Sequence, residues 1–198
     1  MHSNRHAIIT VSLALLALGF SVLASNHALA QDCTDVSGTT VTITTSCSEL
    51  EIGGDGSNVT INSGVTIDGD GTDRAVSTGG STNATITNNG TIEVETNRSF
   101  RTSGGQVDEL INNGFITAGG REGLRNGGTI NILTNTDEIS AVGNQGINNR
   151  FSGIIGTITN SGTITAGDSQ GLRNDGTIGT ITNSINQLSG EGGGNSWH

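Results

Sequence analysis

Two pairs of neighbouring carboxylates, Asp108-Glu109 and Asp137-Glu138, are the residues of this chain best suited to acid–base chemistry. Glycoside hydrolysis uses two such groups facing one cleft. Neighbours on an extended strand point to opposite faces, however, and the two pairs fall at different places in the repeat described below. Proton abstraction of the lyase kind needs a basic group, and the chain has neither lysine nor tyrosine. Its four histidines are His2, His6, His27 and His198, three in an N-terminal leader and one at the last position. Serine–histidine and cysteine–histidine nucleophiles and histidine-ligated metals are thereby excluded. The run Asp68-Gly69-Asp70-Gly71-Thr72-Asp73 begins like a calcium loop. Asp73 stands where the glycine of the sharp turn belongs, and Gly79 where the distal glutamate belongs, so the run reads as an acidic turn. No enzymatic activity, catalytic residue, cofactor or metal is expected.

The cations are more suggestive. Arg98, Arg101, Arg121, Arg125, Arg150 and Arg173 all lie within three residues of one apolar column, and Arg74 falls in the same place one step earlier. They gather along one edge, where they form either a binding stripe for an anionic glycan or a partner surface, or solvated turn residues paired with Asp73, Glu122, Asp168 and Asp175. Exposed pairs of the second kind contribute little to stability. Eighteen acidic residues stand against eight arginines, a net charge of −10. Without the leader, which holds Arg5, the balance is 7 − 18 = −11. Nonspecific attraction to nucleic acid or to an anionic membrane is disfavoured.

What must position these residues is a repeat. The column Ile86, Leu110, Leu133, Ile158, Ile181 advances by 24, 23, 25 and 23 residues. Ile92, Ile116, Ile139, Ile164 and Phe100, Leu124, Ile147, Leu172 both advance by 24, 23 and 25, while Val107, Ile130, Ile155, Ile178 advance by 23, 25 and 23. Columns that change step together describe stacked coils. Around them the pattern alternates, as in Thr157-Ile158-Thr159, which predicts short strands with one side chain inward. First to second column is always 6 residues and second to third 8, whereas third to fourth is 7, 6, 8 and 6. All length variation therefore falls in one turn. Coils of 23–25 residues predict an all-β, parallel β-helix (β-solenoid) of about six to seven rungs, since such repeats bury their apolar side only against neighbours. At about 4.8 Å per rung, six rungs make a rod of roughly 29 Å.

Asparagine repeats in register too. Asn88, Asn112, Asn135, Asn160 and Asn183 stand two residues after the first column, and Asn126, Asn149 and Asn174 two after the third. A stacked amide ladder at a corner is expected. The glycines beside them, in Asn88-Asn89-Gly90 or Asn160-Ser161-Gly162, are expected to supply positive φ. Thr-x-Thr at 85–87, 157–159 and 180–182 suggests a hydroxyl face of the kind that binds ice, interrupted by Glu109 and Ile132.

Residues 1–30 read as a signal peptide: Arg5, an apolar run from Ala7 to Ala24, and a small-x-small site ending at Ala30. No later stretch is apolar enough to span a bilayer. Cys33 and Cys47, the only cysteines, are expected to join in an oxidising compartment, which would stabilise by roughly 3 kcal/mol. Residues 31–56 are expected to form an N-terminal cap with this disulfide, 57–188 the β-helix repeats, and 189–198 a flexible glycine-rich tail.

Strings such as Ile86-Thr-Asn-Asn-Gly-Thr-Ile92 and Ile158-Thr-Asn-Ser-Gly-Thr-Ile164 resemble the passenger domains of autotransporters, the type V secreted proteins of Gram-negative bacteria. The resemblance covers roughly residues 31–188 and implies a right-handed parallel β-helix at the cell surface, often an adhesin-like stalk. The chain departs from that pattern in ending at Trp197-His198 without the membrane β-barrel that follows such passengers. The expected function is an exported structural and adhesion module at the cell surface or outer membrane, in the medium or in the periplasm. Its expected partners are a host or cell-surface glycan or protein. A self-assembling fibre subunit, associating end to end, and a carbohydrate-active β-helix enzyme are the alternatives.

Overall fold

The structure is a computed structural model that describes residues 33, 35–69, 73–80, 83–184 and 188–190. The predicted signal peptide with Ala30, residues 70–72 of the acidic turn and residues 191–198 of the tail lie outside the described residues. Among the described residues every regular element is a strand, and the strands stack in parallel as a β-solenoid. Three ladders run its length. Sheet 1 holds seven strands, Val36–Ser37, Leu50–Gly53, Arg74–Gly79, Arg98–Ser103, Leu124–Asn126, Ile147–Asn149 and Leu172–Asn174. Sheet 2 also holds seven: Thr40–Ile43, Asn58–Ile61, Ala84–Asn88, Gln106–Asn112, Thr129–Asn135, Ile154–Asn160 and Thr177–Asn183. Sheet 3 holds six: Thr66–Asp68, Thr91–Val94, Phe115–Ala118, Glu138–Ala141, Thr163–Ala166 and Leu188–Gly190.

The apolar columns are the interior, as their registered steps require. Phe100 pairs with Leu124 and Leu124 with Ile147 in sheet 1, and Ile116 with Ile92 and Ile139 in sheet 3, all with no exposure. The first and fourth columns share sheet 2, where Val107 and Leu110 lie on one strand and pair with Ile130 and Leu133. Alternation places Ile or Leu inward and Thr outward along each strand, which suits β-branched residues on a half-buried pleat.

Stacking begins before residue 57. Val36 pairs with Ile52, Leu50 with Val76, and Val41 with Val59, so residues 36–53 already belong to the ladders. Val41-Thr42-Ile43 was expected one step before Val65-Thr66-Ile67; it pairs instead with Val59-Thr60-Ile61. Corners of unequal length near the start shift the step to 18 residues there, so the later period projects onto the wrong strand. The disulfide Cys33–Cys47 is formed, with Cα atoms 5.2 Å apart, and Cys47 bridges to Ile67 of sheet 3. At the other end Ser189 and Gly190, assigned to the tail, pair with Thr165 and Ala166. A waiting parallel edge supplies backbone hydrogen bonds whatever the side chains are.

The corner glycines have a different cause from the one expected. Gly90, Gly114 and Gly162 do not have positive φ. A Cβ on Gly114 would instead collide with the Gly90 carbonyl oxygen of the preceding coil, and one on Gly162 with the Asp137 carbonyl oxygen. Close stacking of backbone on backbone demands glycine there.

Candidate functional site

Both amide ladders are present, and they are structural. The Nδ2 of Asn88 donates to Oδ1 of Asn112 at 2.8 Å, and the relay continues through Asn135 and Asn160 to Asn183 at 2.8, 2.7 and 2.6 Å. Each buried amide also ties its corner: Asn112 donates to the Gly114 carbonyl at 2.8 Å and to the Glu138 carbonyl at 2.9 Å. In the second ladder Thr102 Oγ1 donates to Asn126, Asn126 to Asn149 at 2.8 Å, and Asn149 to Asn174 at 2.7 Å. A buried polar group is tolerable only when paired, and these are paired along the whole rod. Thr102 takes the asparagine's place in one coil, which column reading missed because the residue type changes.

The arginine edge divides into three environments. Arg98 is buried, its Nε 3.0 Å from Glu122 Oε2 and its Nη1 3.3 Å from Asp73 Oδ1. The Nε contact is an ion pair without hydrogen-bond alignment, and Glu122 takes its hydrogen bond from Asn148 Nδ2 at 3.1 Å. Arg74 pairs with Glu49 at 3.5 Å and Arg173 with Asp175 at 2.9 Å, and Arg121 is exposed. Of the expected pairings, those with Asp73, Glu122 and Asp175 form, and no ion pair involves Asp168 among the described residues.

Arg101, Arg125 and Arg150 come together in a groove of about 300 Å³ that Thr102, Ser103, Gly127, Phe151 and Ser152 also line. Arg101 and Arg125 are register partners in sheet 1, and Arg150 follows one coil on, its N–H bonded to the Asn126 carbonyl at 2.9 Å. Arg101 reaches the already shared Asp73 at 3.6 Å. Arg125 and Arg150 form no ion pair among the described residues, and the Arg125 Nε is out of solvent contact with no hydrogen-bond partner. Burial first, then the Arg98, Arg150 and Arg101 charges, hold the Arg125 pKa below its ordinary value, and Glu122 opposes them.

The groove is built by the one turn that varies in length. Ile147 to Ile155 spans 8 residues, against 6 for Leu124 to Ile130 and for Leu172 to Ile178. The extra residues form a turn closed by Gly153 N–H to the Arg150 carbonyl at 2.6 Å, with Phe151 at its apex, 91% exposed. Sequence reasoning passed over Phe151, which belongs to no column; the longest corner count was the available signal.

Two other surfaces bear on function. A groove of about 330 Å³ at the sheet 3 corner is acidic, lined by Asp68, Glu93 and Glu95 with Thr117 and Ser140. Burial, then Asp68 and Glu95, raises the Glu93 pKa. No three His, Cys, Asp or Glu side chains among the described residues are grouped to hold a metal. Asp108-Glu109 lies on sheet 2, whereas Glu138 begins a strand of sheet 3 with Asp137 at the corner before it, so the carboxylate pairs share no cleft. On the outer face of sheet 2 the register aligns Thr42, Thr60, Thr87, Ile111, Thr134, Thr159 and Thr182. That column is longer than the sequence suggested, but its neighbour carries Glu109 and Ile132 between Thr85 and Thr157.

No protein-family model, curated protein or solved structure matches this chain.

Proposed function

We propose that this chain is an exported β-helical module that acts as a structural and adhesive stalk, of the kind autotransporter passenger domains form, and that it works by binding rather than turnover. The observation that carries this reading is the division of labour in each coil. The interior and two amide ladders satisfy themselves, while one corner varies in length and displays uncommitted arginines. A stack so arranged keeps its shape independently of what the corner presents. The Cys33–Cys47 disulfide and the leader-like first thirty residues support passage into an oxidising compartment.

The full chain expressed in a Gram-negative host tests both halves. The expected product begins near Gln31, holds Cys33 and Cys47 oxidised, and is found outside the cytoplasm. Beads coated with it adhere to cell surfaces, and it releases no reducing sugar from polygalacturonate. A chain that stays cytoplasmic with both thiols alkylatable defeats the export reading, and coated beads that adhere no better than albumin-coated ones defeat the adhesive one. Sedimentation at rising concentration separates the fibre alternative, which requires growing species where the stalk remains of one size.

A further inference from the structure

We infer that the groove bounded by Arg101, Arg125, Arg150 and Phe151 is a binding site for an acidic saccharide, a sugar bearing sulfate or carboxylate, and this rests on the binding-module reading above. Three independent features converge there. The first is charge without compensation. In a chain of net charge −10, four guanidinium groups (Arg98, Arg101, Arg125, Arg150) cluster around two carboxylates (Asp73, Glu122), a local excess of 4 − 2 = +2. The two carboxylates are already engaged by Arg98 and Arg101, so Arg125 and Arg150 are left for an incoming anion. Guanidinium groups offer planar forks that match sulfate and carboxylate oxygens two at a time.

The second feature is Phe151. It sits at a turn apex, 91% exposed, beside the three arginines, and contributes almost nothing to the core from there. A lone exposed aromatic is ordinary on a protein surface. One that rims a cationic groove, in a chain where aromatic residues are only 3% of the composition, supplies the flat apolar platform on which the C–H face of a sugar ring stacks. The third feature is the hydroxyl lining. Ser103 and Ser152 are exposed at the groove, and Thr102 stands behind them with its hydroxyl committed to the second ladder. Saccharide hydroxyls would meet hydroxyls at the rim and guanidinium groups at the floor.

The same features discriminate among anions. Strong negative charge over the rest of the chain opposes a dense polyanion such as nucleic acid, while a single groove near the lower limit of ligand-pocket volumes suits one or two sugar rings. Arg101, Arg125 and Arg150 climb two coil steps, about 10 Å, so a short oligosaccharide lying along the rod engages all three.

Calorimetric titration of the oxidised full chain tests the inference, with a sulfated heparin-type tetrasaccharide, a tetragalacturonate, neutral maltotetraose and an acidic phosphotyrosine peptide as probes. At least one acidic saccharide is expected to bind, more weakly as salt rises, and maltotetraose is not. Arg125→Gln and Phe151→Ala should each weaken binding about tenfold or more with unchanged thermal unfolding, whereas Arg173→Gln, outside the groove, should not. Phe151→Ala removes an exposed side chain, so it reports on binding even where an arginine variant disturbs the fold. Binding unaffected by both groove variants, no binding of either acidic saccharide, or preference for the peptide overturns the assignment. Bead adhesion that survives in both variants leaves the adhesive stalk standing and rejects this groove as its contact.

Discussion

At the scale of single residues, the asparagines carry more of the fold than their polarity suggests. Asn112 is fully buried, yet it accepts from Asn88 and donates to Asn135, to its own corner and to the next. Replacing it with leucine, similar in size, strands the Asn88 amide and the Gly114 carbonyl. Each buried group left unpaired costs about 1–3 kcal/mol, so Asn112→Leu should lower stability by at least about 2 kcal/mol in urea unfolding. A loss below half of that would mean the ladder is ornamental. Glu93 behaves oppositely, because its folded-state pKa is raised by burial, Asp68 and Glu95. The folded form then holds its proton to higher pH than the unfolded form. Ionising Glu93 is a penalty present at neutral pH, and it is relieved as pH falls through the folded pKa toward the unfolded value. Glu93→Gln should raise Tm at pH 7, with the gain shrinking in acid; a gain that grows on acidification would contradict the stated causes.

At the scale of the coil, the corner glycines separate two explanations that sequence alone could not. Asparagine-glycine corners invite a positive-φ account, but Gly114 is pinned by the carbonyl of Gly90 above it. Gly114→Ala should therefore destabilise by about 1–3 kcal/mol, the range for forced overpacking. D-alanine, which favours positive φ, should not rescue the site in a semisynthetic chain, as it would at Gly104, where φ is +74°. Much else at this scale was legible. Ile86, Ile92 and Phe100 announced three sheets because the corners after the first and second columns never change length. Val41 misled because its corners do change, and a shift of a few residues moves a segment to another sheet. The arginine edge was legible as a cluster but not as three environments. Whether a guanidinium finds Glu122, Asp175 or nothing depends on side-chain direction, which one-dimensional spacing does not carry.

For the whole molecule, stability is cumulative along one axis, each coil resting on its neighbours, and the first end is where the covalent tie lies. Cys33–Cys47 closes a 14-residue separation, and Cys33 N–H also bonds to the Glu49 carbonyl at 2.9 Å. Cys33→Ser with Cys47→Ser should cost about 3 kcal/mol, and hydrogen exchange should show protection lost first in residues 36–53 rather than around Leu133. Equal loss along the rod would indicate a single cooperative unit. The stacking also fixes what the variable corner can display. Side chains there are separated along the rod by whole coil steps of about 4.8 Å, and changing the corner's length moves a group outward without moving it along the axis. The corner is thus a graduated scale, and a polymer that reads it is recognised by the period of its own charges as much as by their sign.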